Sequence, residues 1–212
     1  FFYMMKGSMV LKVLEGGKHR SIEIKEGETF LLPAHVPHSP QRFPDSLGLV
    51  IERERVEGEI DAMQWFVPGS TDVLWRRTFV CRDLGKDLVP IVTAFKASVE
   101  AKTKKRREAG ARGEDGKLSI MPLKESIDTE AKLGDPKCIS SWLESKSEDF
   151  KIKEMYKGKD FLVRCGTGVG KVEKLAYSGE SYYYLLTGTA ELTSSSVQHK
   201  VKLSPQSMVV ID

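Results

Sequence analysis

The chain has 212 residues, 40% of them hydrophobic and 30% charged, which suits a soluble globular protein with room for one large domain or two small ones. Thirty-three basic residues stand against 30 acidic ones, a net charge of +3; so even a balance does not by itself imply a nucleic-acid or membrane partner, and none is expected. No apolar stretch approaches a membrane span, and three scattered cysteines (Cys81, Cys138, Cys165) argue against a disulfide framework or a zinc knuckle and fit a reducing cytoplasm.

Residues 1–53 read as short strands divided by turn residues. "FFYMM" runs to Gly7, "MVLKVLE" to Gly16-Gly17, "HRSIEI" to Gly27 and "ETFLL" to Pro33. "LGLVIERER" follows the proline-rich stretch "LLPAHVPHSPQR". Strands of this length and spacing indicate an antiparallel sandwich or barrel. The opening "FFYMMKG" lacks the basic n-region of a signal peptide and looks like a strand entered midway, so the true beginning of the protein is expected before Phe1. Residues 83–107 have helical character, with Pro90 as the expected interruption. The basic run Lys102, Lys104, Lys105, Arg106 and Arg107 has no interleaved aromatic residue and reads as a solvated helix end leading into a mobile linker, not as a nucleic-acid surface. "SWLE" at 141–144 has capping-box spacing and should open a short helix. Strand character resumes near residue 150.

The chain also resembles itself. "FFYMMKGSMVLKV" from Phe1 lines up with "YYYLLTGTAELTS" from Tyr182, and "IEIKEGETFLLP" from Ile22 with "VKLSPQSMVVID" from Val201, as if the second hairpin were two residues shorter. A duplicated β-domain is therefore expected: a first copy over 1–95, a linker with helical segments over 96–149, and a second copy over 150–212 that breaks off early. The glycine shared by the two copies resembles the one that closes the first cupin motif, E-x6-G, which would place a glutamate seven residues before Gly188; Ser181 stands there, and Glu180 beside it would point to the other face of a strand. Tyr182, Tyr183 and Tyr184 then read as packing residues, and the second copy as metal-free.

Gly27, Pro33, His38 and Arg42 are spaced as in the second cupin motif, G-x5-P-x-G-x2-H-x3-N, with His35 in place of its second glycine and Arg42 in place of its asparagine. More specifically, "FFYMMKGSMVLKV", "GETFLLPAHVPHSPQRF", "GLVIERER" and "TDVLWRRTFVCRDLG" together resemble the 3-hydroxyanthranilate 3,4-dioxygenase family, densely over residues 1–95 and faintly beyond. The resemblance implies a mainly β protein, a cupin jelly-roll barrel (double-stranded β-helix) duplicated as a bicupin. It implies Fe(II) held by two histidines and a glutamate, and cleavage of the ring of 3-hydroxyanthranilate by O2 to 2-amino-3-carboxymuconate semialdehyde. That step lies in the kynurenine pathway to quinolinate and NAD. Carried across residue by residue, His38 matches a metal ligand, Arg42 the arginine that binds the substrate carboxylate, and Glu52 an acidic residue beside the substrate's hydroxyl and amine. The other histidine and glutamate ligands are expected before Phe1, so the segment by itself should be inactive. His35 receives no role. A cytoplasmic monomer is expected.

These residue types suit that chemistry. Two histidines and a carboxylate occupy one face of Fe(II) and leave positions open for an ortho aminophenol and O2. Neutral imidazole binds ferrous iron, so His38 should release the metal as pH falls. A planar guanidinium grips a carboxylate through two parallel hydrogen bonds, and Glu52 could carry a proton. Competing readings remain. Arg42 could pair with Asp45 or Glu52 at the surface, and Glu52 could belong to a charged edge strand with Glu54 on one face and Arg53 and Arg55 on the other. A cupin that merely binds a small aromatic carboxylate, or one hosting another metal reaction such as isomerisation, would share part of the pattern.

Overall fold

The computed structural model describes residues 1–144, 151–171, 179–193 and 200–211, in two compact units, Phe1–Gly168 and Val169–Asp212. Strands dominate, as expected, and the first unit begins with six of them: β1 (Phe2–Lys6), β2 (Ser8–Glu15), β3 (Lys18–Lys25), β4 (Glu28–Phe30), β5 (His38–Arg42) and β6 (Leu47–Val50). Alternation along β1 to β4 sends Phe2, Met4, Met9, Leu11, Val13, Ile22, Ile24 and Phe30 to one face each, and all are buried in one core cluster with Val36. Burying each of the larger ones contributes roughly 1.5–3 kcal/mol. The cluster lies between two antiparallel sheets, β6-β1-β4-β9 and β3-β2-β5, where β9 is the short strand Lys137–Cys138. Two facing sheets sharing one core are the frame of a jelly roll.

Turn chemistry sets the connections. Gly7, Gly16, Gly17 and Gly27 all have positive φ, the region glycine enters without strain. At Gly7 this matters twice, because a Cβ there would also lie 3.3 Å from Ser46 Cα. The expected strand "LGLVIERER" forms only as far as Val50. Beyond it, polar bonds fold the chain into a turn: Arg53 pairs with Glu59, Arg55 Nε with Asp61 Oδ2 at 2.7 Å, and Val56 N with Glu59 Oε2 at 2.8 Å. The charged edge strand proposed for Glu52 is therefore not formed.

A second layer of structure follows. β7 (Asp61–Phe66) and β8 (Val73–Phe79) make a hairpin in which Trp65 faces Trp75, and α1 (Leu84–Ala97) lays Phe95 on Trp65, their rings stacked at 4.0 Å. Asp83 caps α1 by accepting from Lys86 N. Pro90 lies inside α1 without ending it. The break comes at Ser98, whose extended ψ and hydroxyl cap start α2 (Val99–Thr103). The basic run emerges at the left-handed C-cap Lys104. In the segment after it, Arg77 reaches Asp115 at 3.1 Å and Leu118 O at 2.6 Å while lying over the Trp75 ring. α3 spans Ile139–Glu144, so Ser141 is inside the helix and not its cap. β9 hands the chain straight to buried Ile139, whose N–H bonds Gly27 O at 3.0 Å. β10 (Lys151–Lys157) and β11 (Leu162–Thr167) form a hairpin whose Tyr156 hydroxyl donates to Thr29 O at 2.8 Å. No helix among the described residues is long and apolar enough to cross a membrane.

The second unit contains β12 (Ser181–Tyr184), β13 (Ala190–Thr193), β14 (Lys200–Leu203) and β15 (Met208–Ile211). β12 pairs with β15 and β13 with β14, the same nesting as β1 with β4 and β2 with β3. The register agrees as well. Phe2↔Phe30 and Tyr3↔Thr29 correspond to Tyr183↔Val209 and Tyr184↔Met208, and Met9↔Ile24 through Lys12↔Ser21 correspond to Ala190↔Leu203 through Thr193↔Lys200. Gly188 repeats the positive φ of Gly7, and Gln206 that of Gly27. Tyr183 and Tyr184 are half-buried but Tyr182 is exposed, its hydroxyl donating to Glu180 at 2.6 Å.

One polar clasp ties the first unit together. Arg20 bonds Glu15 Oε2 at 2.9 Å, Leu133 O at 3.0 Å and Asp135 Oδ1 at 2.7 Å, while Glu15 also accepts from Leu133 N. The Arg20 hydrogen bond, then the one from Leu133, holds the Glu15 carboxyl below its ordinary value. A depressed carboxyl stabilises the fold above its unfolded pKa and loses that contribution as pH falls through the folded one. Arg20→Leu should therefore lower the urea midpoint at pH 7, and its deficit against wild type should shrink as pH drops below about 4. Urea titrations at several pH values would decide; a deficit independent of pH removes Glu15 from the account.

Candidate functional site

The proline-rich stretch becomes an edge strand. β5 is the outer strand of its sheet, a position where Pro40 costs no interior ladder bond and discourages further pairing. It pairs antiparallel with β2, His38 opposite Val13, Pro40 opposite Leu11 and Arg42 opposite Met9. Residues directly opposite in such a pair point to the same face. Val13, Leu11 and Met9 are core residues, so His38, Pro40 and Arg42 belong to the inner face and Ser39 and Gln41 to the outer. All five residues of β5 are nonetheless exposed. Among the described residues, the inner face is open along this strand.

The approach to His38 is tightly held. Leu14 N donates to Pro37 O at 3.0 Å, extending the ladder past the strand end, and Val36 is buried in the core at 4% exposure. His38 Nδ1 lies 3.0 Å from Val36 O. A carbonyl only accepts, so Nδ1 carries the proton and the Nε2 lone pair is left for a ligand, the arrangement that orients metal-binding imidazoles. His35 has φ of 62° and so keeps the left-handed conformation for which the cupin motif uses glycine. Its ring makes only a 3.4 Å contact with Glu125, both side chains half-exposed, and its carbonyl accepts from Asp128 N.

A short turn returns the chain to the opposite sheet, with Ser46 Oγ donating to Phe43 O at 2.6 Å and Asp45 in the left-handed region. β6 then pairs with β1, placing Gly48 opposite Met4 and Val50 opposite Phe2. Bonds between Phe1 and Ile51, N to O in both directions at 2.8 and 3.0 Å, carry that pairing one step further. Glu52 follows directly on that last paired residue, outside β6. Glu52 is exposed, with Arg55 Nη1 at 3.7 Å, a secondary contact because Arg55 binds Asp61 more closely. Arg42 forms no ion pair with Asp45 or Glu52 among the described residues. Its Nη1 lies beside Gly48, a residue whose relevance the sequence hid because it emerges only from the β1–β6 register.

No three His, Cys, Asp or Glu side chains come together in a group able to hold a metal among the described residues. His38 fits as one ligand, and the set expected from the sequence is not completed within those residues.

Two facing antiparallel sheets, with a histidine and an arginine on the inner face of an edge strand behind the Gly27-to-His38 turn, define a cupin. A family profile described as 3-hydroxyanthranilic acid dioxygenase matches residues 1–96, the part that carries His38, Arg42 and Glu52. The bovine 3-hydroxyanthranilate 3,4-dioxygenase is 41% identical over 216 aligned residues, which cover 98% of this chain and 71% of the bovine protein. The human enzyme of the same name is 34% identical over 99% of the chain and 71% of its own length. The zebrafish (Danio rerio) one reaches 54% identity over 49% of the chain and 36% of its length. The chain belongs to the 3-hydroxyanthranilate 3,4-dioxygenase family.

The left-handed conformation at position 35 is directly testable. His35→Gly should leave stability unchanged or slightly raised, whereas His35→Val should lower it by about 1–2 kcal/mol, because a β-branched residue resists positive φ. Denaturant unfolding of both variants checks this; equal losses would show that the imidazole, not the backbone, is what the fold uses there.

Proposed function

We propose that this protein acts as a 3-hydroxyanthranilate 3,4-dioxygenase. It would open the aromatic ring of 3-hydroxyanthranilate with both atoms of O2 to give 2-amino-3-carboxymuconate semialdehyde, the step that feeds quinolinate and NAD formation in the kynurenine pathway. The observation that carries the reading is the shared inner face of His38 and Arg42, set by their pairing with Val13 and Met9, in a chain whose family relatives bear that name. Ferrous iron, with His38 as one of its ligands, would supply the chemistry that lets an ortho aminophenol react with O2. His38 contributes one ligand through Nε2; a further histidine and a glutamate are expected from outside the described residues. Arg42 receives the substrate carboxylate in a two-pronged hydrogen bond and so turns the ring toward the metal face. Glu52, beside the same opening, accepts the phenol proton and returns it as the ring opens.

The matched nesting and register of the strands in the second unit support its reading as a second cupin copy. Ser181, where the first motif has glutamate, supports a metal-free copy, so iron should bind at about one per chain. A cytoplasmic monomer completes the proposal. The runner-up, a non-catalytic cupin that binds an aromatic carboxylate, uses Arg42 equally well. The Nδ1 bond to Val36 O favours the enzyme, because it frees the nitrogen that a mere binding module would not need.

In the full gene product, His38→Ala should lose iron while the fold survives. Arg42→Ala should chiefly raise KM, and Arg42→Lys should not rescue it, because an ammonium lacks the planar fork. Glu52→Ala should chiefly lower kcat, by a factor on the order of 10²–10⁴. Iron analysis and steady-state kinetics read these outcomes. Full iron in His38→Ala, or wild-type kinetics in both Arg42→Ala and Glu52→Ala, would sink the assignment.

A further inference from the structure

We propose that Gly48 is a positioning residue for the Arg42 guanidinium, keeping open the space in which that group lies to receive the substrate carboxylate; this rests on the role proposed above for Arg42. Gly48 sits in the middle of β6, directly opposite Met4 on β1. Glycine weakens a strand interior and often marks close approach of another group. The backbone does not call for it here, since Gly48 is absent from the positive-φ residues of the chain. What surrounds it does. A Cβ built on Gly48 would lie 3.0 Å from Met4 Sδ and 3.1 Å from Arg42 Nη1, with Tyr3 O at 3.5 Å.

Both close atoms are ends of flexible side chains, so the outcome depends on which one yields. Met4 is fully buried, at 0% exposure, inside the core cluster, where close packing leaves little room to move. Arg42 is exposed and no hydrogen bond or ion pair among the described residues fixes its guanidinium. The guanidinium is therefore the group that yields. Two parallel hydrogen bonds depend on the alignment of the planar fork, so a guanidinium pushed aside by a Cβ, and further by a larger side chain, meets the carboxylate less well. The β1–β6 register thus reaches across the inner face: β5 presents the arginine, and the missing side chain on β6 gives it a place to lie. A larger residue at 48 would satisfy strand propensity better and would crowd the proposed carboxylate site.

The test compares Gly48→Ala, Gly48→Val and Arg42→Ala in the full gene product. Turnover is measured with 3-hydroxyanthranilate and with 2-aminophenol, which keeps the reacting hydroxyl and amine but has no carboxylate. Calorimetric titration of the iron-free protein with 3-hydroxyanthranilate gives a second readout that does not depend on the loaded enzyme. Gly48→Ala should raise KM and weaken iron-free binding by about 10-fold, and Gly48→Val should approach Arg42→Ala. kcat/KM for 2-aminophenol should change by no more than about twofold, because the lost interaction is one that substrate never makes. Iron content should be unchanged. A double variant, Met4→Val with Gly48→Ala, relieves the core side of the contact and guards against a folding defect: it should still discriminate against the carboxylate substrate. Recovery of wild-type binding in the double variant would overturn the inference, as would equal losses for the two substrates. If Arg42→Ala weakens binding while Gly48→Val does not, the positioning role falls and the reading of Arg42 stands. If Arg42→Ala itself binds normally, both fall together.

Discussion

The pairing of β5 with β2 is the constraint on which the candidate site depends. His38 faces inward only because it stands opposite Val13, and Arg42 only because it stands opposite Met9. A slip of one residue would turn both outward and bring Ser39 and Gln41 to the inner face. The register is pinned at the entry to the strand, not within it. Val36 is buried in the core, Pro37 O takes the Leu14 N–H, and His35 turns the backbone through the left-handed region. A proline in mid-strand could not have fixed the register through ladder bonds, so the anchoring before His38 supplies what Pro40 withholds.

Much of this was legible because cupin turns are punctuated by residues with a backbone reason to be there. Gly7, Gly16-Gly17 and Gly27 marked strand ends correctly, and each has positive φ. The spacing from Gly27 to His38 was readable for the same reason. Failures came where side chains overrode the pattern. "LGLVIERER" alternates well enough for a strand, yet Arg53, Arg55 and Val56 N find Glu59 and Asp61 and fold the chain away after Val50. "HSPQR" looks nothing like a strand, since among the described residues its support comes from the neighbouring β2. "SWLE" has the spacing of a cap, but burial of Ile139 starts the helix earlier. Gly48 was invisible because its partners, Met4 and Arg42, come from two other strands.

The second-copy reading proposed above draws its support from register, because register follows from turn length and burial in each hairpin separately. Here the nested pairs coincide through both ladders, including the two-residue difference in the inner hairpin, and the left-handed positions recur at Gly188 and Gln206. Gln206 at such a φ carries a strain that Gly27 avoids. The turn geometry persists where the glycine does not, as it also does at His35.

The ion pairs of the chain bear on the carboxylate-binding role proposed for Arg42. Arg20, Arg53, Arg55 and Arg77 each have a carboxylate in Glu15, Glu59, Asp61 and Asp115 respectively. The more exposed of these pairs contribute little to stability, and Arg77 is buried, but all of them neutralise the guanidinium locally, and an incoming carboxylate would have to displace a resident one. Arg42 has no such resident among the described residues. Glu52, the nearby acid of interest, leans toward Arg55, and Arg55 is already committed to Asp61. Among the described residues this leaves, on the inner face of β5, an arginine that no carboxylate of the protein occupies, which is the condition that the carboxylate-binding role proposed for Arg42 requires, since an incoming acid group then has no resident to displace.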